Sequence, residues 1–144
     1  ICIKEPRYSQ RKNMVSYDIL FEKNTTLSQI SISIFPNELF EDLYVLSYFG
    51  RKVGAVICDL SPKVTGNWSV DHARQISLNY DCTKIMDKVL AHKGNAVFKV
   101  FDGEYSLEFR DYVKKKFARI NLTKPDASRK QSSELYCVCM GFTG

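Results

Sequence analysis

No two of the five cysteines are spaced as CxxC, and no Cys/His cluster has the spacing of a zinc site. Metal chemistry of the finger or ribbon type is therefore excluded, and no metal is expected. No apolar run approaches the roughly 20 residues that a bilayer-spanning helix needs, so no membrane partner is expected. Repeats and low-complexity linkers are lacking too. Neither an initiator Met nor a basic-then-apolar signal segment opens the chain at Ile1, so it reads as a piece of a longer chain. Five cysteines is an odd number: Cys2, Cys58, Cys82, Cys137 and Cys139 are expected as buried free thiols in a reducing cytoplasm.

What is present describes an ordinary globular chain. Its 144 residues suffice for one domain, 1–144, with a real core. Hydrophobic residues make up 44% and charged residues 26%, as in soluble domains. The net charge of +5 is unevenly spread. Residues 110–130 hold Arg110, Lys114, Lys115, Lys116, Arg119, Lys124, Arg129 and Lys130 against Asp111 and Asp126. That stretch alone accounts for the basic excess. It fits a polyanionic partner, nucleic acid first; it equally fits a solvated helix face.

Strands and helices alternate along the chain. Met14–Ile19 and Gln29–Phe35 read as strands, and residues 37–49 as a helix. The apolar run Val53–Leu60 resembles strands buried on both faces. Ser61–Trp68 has loop composition. Asp71–His92 reads as the longest helix, with Leu78, Cys82, Ile85, Met86 and Val89 as its apolar stripe, ended by Lys93-Gly94-Asn95. Ala96–Phe101 is a strand and Leu107–Phe117 an amphipathic helix. Ala118–Thr123 and Glu134–Phe142 are strands with no helix between them, so they pair antiparallel. The pattern predicts an α/β domain with a mostly parallel sheet.

Sites in such sheets lie at the carboxyl ends of the strands. Asp59 stands at one strand end. Lys99 lies inside the next strand between Phe98 and Val100, a poor place for a cation without a partner or a task. The loop KPDASRKQSSELY then carries cations and hydroxyls to a lone Glu134 at the start of the last strand. Trp68 reads either as a platform for a splayed base or as a hydrophobic plug. His72 and His92 are read as a helix-start and an exposed helix-end residue, without chemistry.

Three stretches carry a family likeness: CDLSPKVTGNWSVDHAR, FKVFDGE and KPDASRKQSSELYCVCMGF. With Asp59, Lys99 and Glu134 in that order, they resemble the RrmJ/FtsJ family of S-adenosylmethionine-dependent RNA 2′-O-methyltransferases. The likeness is strongest to its archaeal large-subunit ribosomal RNA members. It is specific over 53–142 and weaker over 1–52. There MVSYDI is similar to the family's second strand, whose acidic end would be Asp18, and ISIFPNELFEDL to the segment after its third, with Ser33 at the usual aspartate. Tyr8-Ser9-Gln10 stands where the family has Trp-Ser-Gln. The family's glycine-rich loop and its first catalytic lysine have no counterpart.

The resemblance implies a Rossmann-like methyltransferase fold and methylation of an RNA ribose 2′-hydroxyl, most of all in ribosomal RNA, at a uridine. It implies Lys99 as the base with Asp59 and Glu134 as partners, and Asp18, Ser33 and Asp59 as cofactor contacts. Lys124, Ser128, Arg129, Lys130 and Trp68 would meet the RNA. A lysine acts as base only when neutral, a state that burial and nearby positive charge favour and carboxylates oppose. A cytoplasmic monomer working on a ribosomal particle is expected. The alternatives are a non-catalytic RNA-binding or assembly protein with the same fold, and an enzyme for transfer RNA or cap-type substrates.

Overall fold

The computed structural model describes residues 2–9, 14–23, 26–34, 52–124 and 133–144, with side chains from residue 52 onward. The helix expected over 37–49, and Ser128, Arg129 and Lys130, lie outside the described residues. Among the described residues, seven strands and two helices follow in the order β1 (Cys2–Ser9), β2 (Met14–Lys23), β3 (Thr26–Ile34), β4 (Val53–Cys58), α1 (Trp68–Val89), β5 (Leu90–Phe101), α2 (Ser106–Lys114), β6 (Phe117–Thr123) and β7 (Glu134–Phe142). One sheet runs β3-β2-β1-β4-β5-β7-β6.

The α/β class and the antiparallel β6–β7 pair are as expected. The mostly parallel sheet needs correction. Among the described strands, β1–β4 and β4–β5 pair parallel, while β1–β2, β2–β3, β5–β7 and β6–β7 pair antiparallel. Parallel neighbours need a crossover of a dozen or more residues. The four residues between β1 and β2 and the two between β2 and β3 permit only antiparallel returns. Strand β1 itself falls where the glycine loop was sought. Its pairing with β2 slips by one residue between Lys4 and Arg7, across Pro6, which has no N–H to give to a ladder.

Helix α1 begins three residues before its expected start. Asn67 caps it, its side-chain oxygen accepting from Val70 N at 3.3 Å. Trp68 is thus the first helical residue and not part of the loop. The expected apolar stripe is buried: Leu78, Cys82, Ile85, Met86 and Val89. It meets Val56 and Phe98 of the sheet, and edge-on aromatic contacts at 5.4 Å join Phe98 and Tyr80 to Phe109 of α2. Each such side chain contributes about 1.5–3 kcal/mol on burial. The free-thiol expectation holds for the buried Cys137 and Cys139 and fails for Cys58 and Cys82. These two are bonded, because the last residue of β4 and the buried stripe of α1 bring their Cα atoms to 6.6 Å.

Candidate active site

Strand β4 stops at Cys58, opposite Phe98, whereas β5 runs on to Phe101. The last residues of β5 therefore lose their neighbour on that side, and buried backbone groups need partners. The side chain of Gln75 substitutes for the missing strand. Its Nε2 donates to the Lys99 carbonyl, and its Oε1 accepts from Phe101 N at 3.2 Å. Asn79, one turn further along α1, donates to the same Lys99 carbonyl at 2.8 Å. Both side chains are fully buried.

Lys99 is held by its head as well as by its peptide. Asp59, the first residue beyond β4, places Oδ1 at 2.7 Å from Lys99 Nζ. Ser61 Oγ accepts from the same Nζ at 3.4 Å. The lysine side chain is 13% exposed and the aspartate 37%, so the pair opens to solvent on the carboxylate side. Strand β7 pairs Tyr136 with Lys99 and Glu134 with Phe101. Cross-strand partners share a face, and so do alternate residues. Lys99 and Glu134 are thus diagonal neighbours on one face, roughly 7–8 Å apart along the sheet.

Two loops border this face, and α1 holds both. Asp71 accepts from Thr65 N at 2.9 Å, Thr65 Oγ1 at 2.8 Å and Gly66 N at 3.2 Å. The Thr65 backbone hydrogen bond, against an opposing effect of burial, holds its carboxyl below the usual range. Gly66 has φ +87°, a left-handed conformation that suits glycine. His72, which follows Asp71 on α1, is 2% exposed, and its Nε2 accepts from Tyr105 N at 3.0 Å. Its ring stacks on that of Tyr105 with centroids 5.6 Å apart. A Cβ at Gly103 would lie 2.8 Å from this ring, so glycine is required for the close approach. Burial lowers the imidazole below its ordinary pKa of 6.5, while Asp102 and Glu104 oppose that shift. Asp102 N donates to Ser133 O at 2.7 Å, tying the loop to the residue before Glu134.

Asp59, Lys99 and Glu134 therefore gather at one end of the sheet. Trp68 flanks them, 48% exposed, with its ring stacked on Phe101 at 5.8 Å and His72 at 6.0 Å. It is both packed and half open, which joins the two readings of it. Lys124 follows β6 at the same end and is exposed. The backbone of Asp18 pairs with Lys4, one step beyond the Ile3–Cys58 pairing. Asp18 thus stands level with Asp59, two strands and roughly 10 Å across the sheet. Ser33 lies next to the carboxyl end of β3, on the same side of the molecule. No cluster of three metal-ligating side chains occurs among the described residues.

The residues that sequence reasoning missed are Asp71, His72, Gln75 and Asn79. Their signal was a polar stripe at 72, 75 and 79, spaced three and four apart and continuous with the apolar stripe.

In open α/β sheets ligands bind outside the carboxyl ends of the strands, which is where this lysine–carboxylate pair stands. The chain matches the FtsJ-like methyltransferase family over residues 2–142 and belongs to that family. It is 89% identical over 100 residues to ribosomal RNA large subunit methyltransferase E of Nitrosopumilus maritimus, covering 69% of this chain and 51% of that protein. The protein of that name from Methanocaldococcus jannaschii is 43% identical over 94 residues, 65% of this chain and 38% of that one. A crystal structure of a ribosomal RNA methyltransferase from Plasmodium falciparum superposes with a TM-score of 0.61 at 25% identity, covering 70% of this chain and 54% of that one. The chain spans about half the length of the curated relatives it matches, or less.

Proposed function

We propose that residues 1–144 form one methyltransferase domain that methylates a ribose 2′-hydroxyl of large-subunit ribosomal RNA. The observation that carries this reading is the Asp59–Lys99 contact of 2.7 Å, beside Glu134 at the carboxyl ends of β4 and β5. Binding RNA needs no half-buried lysine whose peptide and head are both anchored. Lys99 would orient the 2′-hydroxyl and receive its proton. Asp59 and Ser61 fix its Nζ, and Glu134 supports the far side of the same face. The exposed Lys124, with Ser128, Arg129 and Lys130 in the sequence that follows it, would hold phosphates. Trp68 offers a half-open ring to a base.

S-adenosylmethionine is the methyl donor this reading requires. When bound, it supplies an electrophilic methyl group on a sulfonium. The Asp59 carboxylate at this end of the sheet suits it, and Asp18 and Ser33 would be its further contacts. No metal enters the scheme. The names of the relatives support large-subunit ribosomal RNA as substrate; a cytoplasmic monomer acting on a ribosomal particle completes the proposed reading.

The test is transfer of labelled methyl from S-adenosylmethionine to large-subunit RNA. Lys99→Ala is expected to lower the rate by about 10²- to 10⁴-fold, the usual scale for a general base. RNA binding with no transfer by the wild-type protein would refute catalysis and leave the non-catalytic RNA-binding reading. Transfer to transfer RNA or cap oligonucleotides in place of ribosomal RNA would refute the substrate.

A further inference from the structure

The fold divides the basic excess between two ends of the molecule. Phe117 pairs with Phe142 at the start of β6, and Thr123 with Tyr136, the partner of Lys99, at its end. The seven residues of β6, roughly 20 Å from first to last, therefore separate Lys114 and Lys115 from the site end that carries Lys124. At the far end they are joined by cations from distant parts of the chain. Lys52 immediately precedes β4, and Lys93 projects from the irregular start of β5, where its φ is 64°. Lys114 ends α2 and Lys115 caps it.

These positions form one rim. Gly141 N donates to Asn95 Oδ1 at 3.2 Å, and Thr143 N to Lys116 O at 2.9 Å, so the ends of β5, β7 and α2 are tied side by side. From β4 to β6 the rim crosses three strand spacings, roughly 15 Å. The nearby acids are engaged: Asp87 holds Lys116 at 2.5 Å, Asp81 holds Lys84 at 2.7 Å, and Asp111 holds Arg110 at 3.0 Å. Lys52, Lys93, Lys114 and Lys115 are all exposed, and none has an ion pair among the described residues.

We infer that this rim is a second RNA-phosphate surface, on the side of the sheet opposite the candidate active site. The inference rests on the RNA reading above and narrows its substrate class. Two cationic ends roughly 20 Å apart suit a large folded RNA that passes around the domain. A short single strand confined to the active site would not reach the rim.

The test compares the wild-type chain with a variant carrying Lys52→Ala, Lys93→Asn, Lys114→Ala and Lys115→Ala. Asparagine is chosen because it tolerates the left-handed backbone at residue 93. Binding to a folded large-subunit RNA fragment is measured against salt. Each phosphate contact contributes about 0.7–0.9 to the log–log slope, so the variant is expected to lose about 3. Binding of a short oligonucleotide containing the methylation target is expected to stay unchanged. Should the fourfold variant melt early, Lys114→Ala with Lys115→Ala is expected to lose about 1.5. An unchanged slope on the folded RNA overturns the inference, as does an equal loss on the oligonucleotide. A variant that keeps its RNA slope but no longer sediments with phosphatidylserine vesicles overturns it in favour of a lipid surface. Because the readout is binding, failure of methyl transfer by the wild type would refute the enzymatic reading and leave this test standing.

Discussion

The two halves of α1 are equally buried and chemically unlike. Asp71, His72, Gln75 and Asn79 in the first half sit at 0–3% exposure, as do Cys82, Ile85, Met86 and Val89 in the second. The second half does what an amphipathic helix ordinarily does, filling the core against β4 and β5. The first half buries polar groups, each costly unless satisfied. Its side chains bond to the end of β5 and to the two loops that border the site, and not to one another. A buried hydrogen bond contributes little net stability, so the first half is better understood as fixing geometry. One helix therefore holds stability at its carboxyl end and the shape of the site at its amino end.

The largest expected effect falls on the apolar half. Ile85→Ala removes a fully buried side chain, and large-to-small core changes of this kind cost about 2–5 kcal/mol. Denaturant unfolding should show that loss. At temperatures where the variant stays folded, its methyl-transfer kcat/KM should match the wild type. A variant that is stable but catalytically impaired would break the division between the halves.

Gln75→Leu tests the polar half. Asn79 still serves the Lys99 carbonyl, so the change orphans chiefly Phe101 N. One unsatisfied buried group costs about 1–3 kcal/mol, less than the core change. The activity loss should nonetheless be greater than in Ile85→Ala, since the end of β5 carries Lys99. Gln75→Glu, which keeps the acceptor for Phe101 N, should recover part of the activity. Equal activity in Gln75→Leu and wild type would mean the amide serves stability alone.

How legible this was in the sequence depends on the kind of regularity involved. Periodic apolar residues gave the buried stripe of α1, and the continuous apolar run after Glu134 gave β7 with both its ends. Lys99 stood out because a charge inside an apolar strand is conspicuous, and its parallel pairing brings the next strand's Asp59 within reach. The start of α1 was displaced because Asn67 and Trp68 look like loop residues until the cap is formed. Strand β1 was hidden by Pro6, which a bulge accommodates. The antiparallel β1–β2–β3 arrangement follows from linkers that become short only once β1 is present, β2 runs on to Lys23 and β3 starts at Thr26. The Cys58–Cys82 bond spans 24 residues, and no local pattern encodes it. The polar face of α1 escaped because helical patterning counts apolar residues, and its partners are backbone atoms that exist only once β4 has ended short of β5.

The smallest effect is one of pH, and it falls within the polar half. His72 is buried neutral: burial holds its pKa below 6.5, and the Asp102 and Glu104 carboxylates only partly offset that shift. Asp71 and Arg74 are the charged neighbours on its own helix. The unfolded chain therefore takes up a proton at a higher pH than the folded one. Stability from this group is complete above about 6.5 and declines as pH falls towards the lowered folded value. Protonation also removes the Nε2 lone pair that accepts from Tyr105 N, which loosens the loop over Gly103. His72→Gln keeps an acceptor near that position and cannot titrate. Thermal midpoints of the two proteins should differ by a constant at pH 7 and above, and that difference should shift in favour of the glutamine variant below about 6.5. Parallel midpoints down to pH 5 would show that the imidazole does not set the acid limit. Tyr105 would then be held by ring stacking more than by its hydrogen bond, and the polar half of α1 would reduce to Asp71, Gln75 and Asn79.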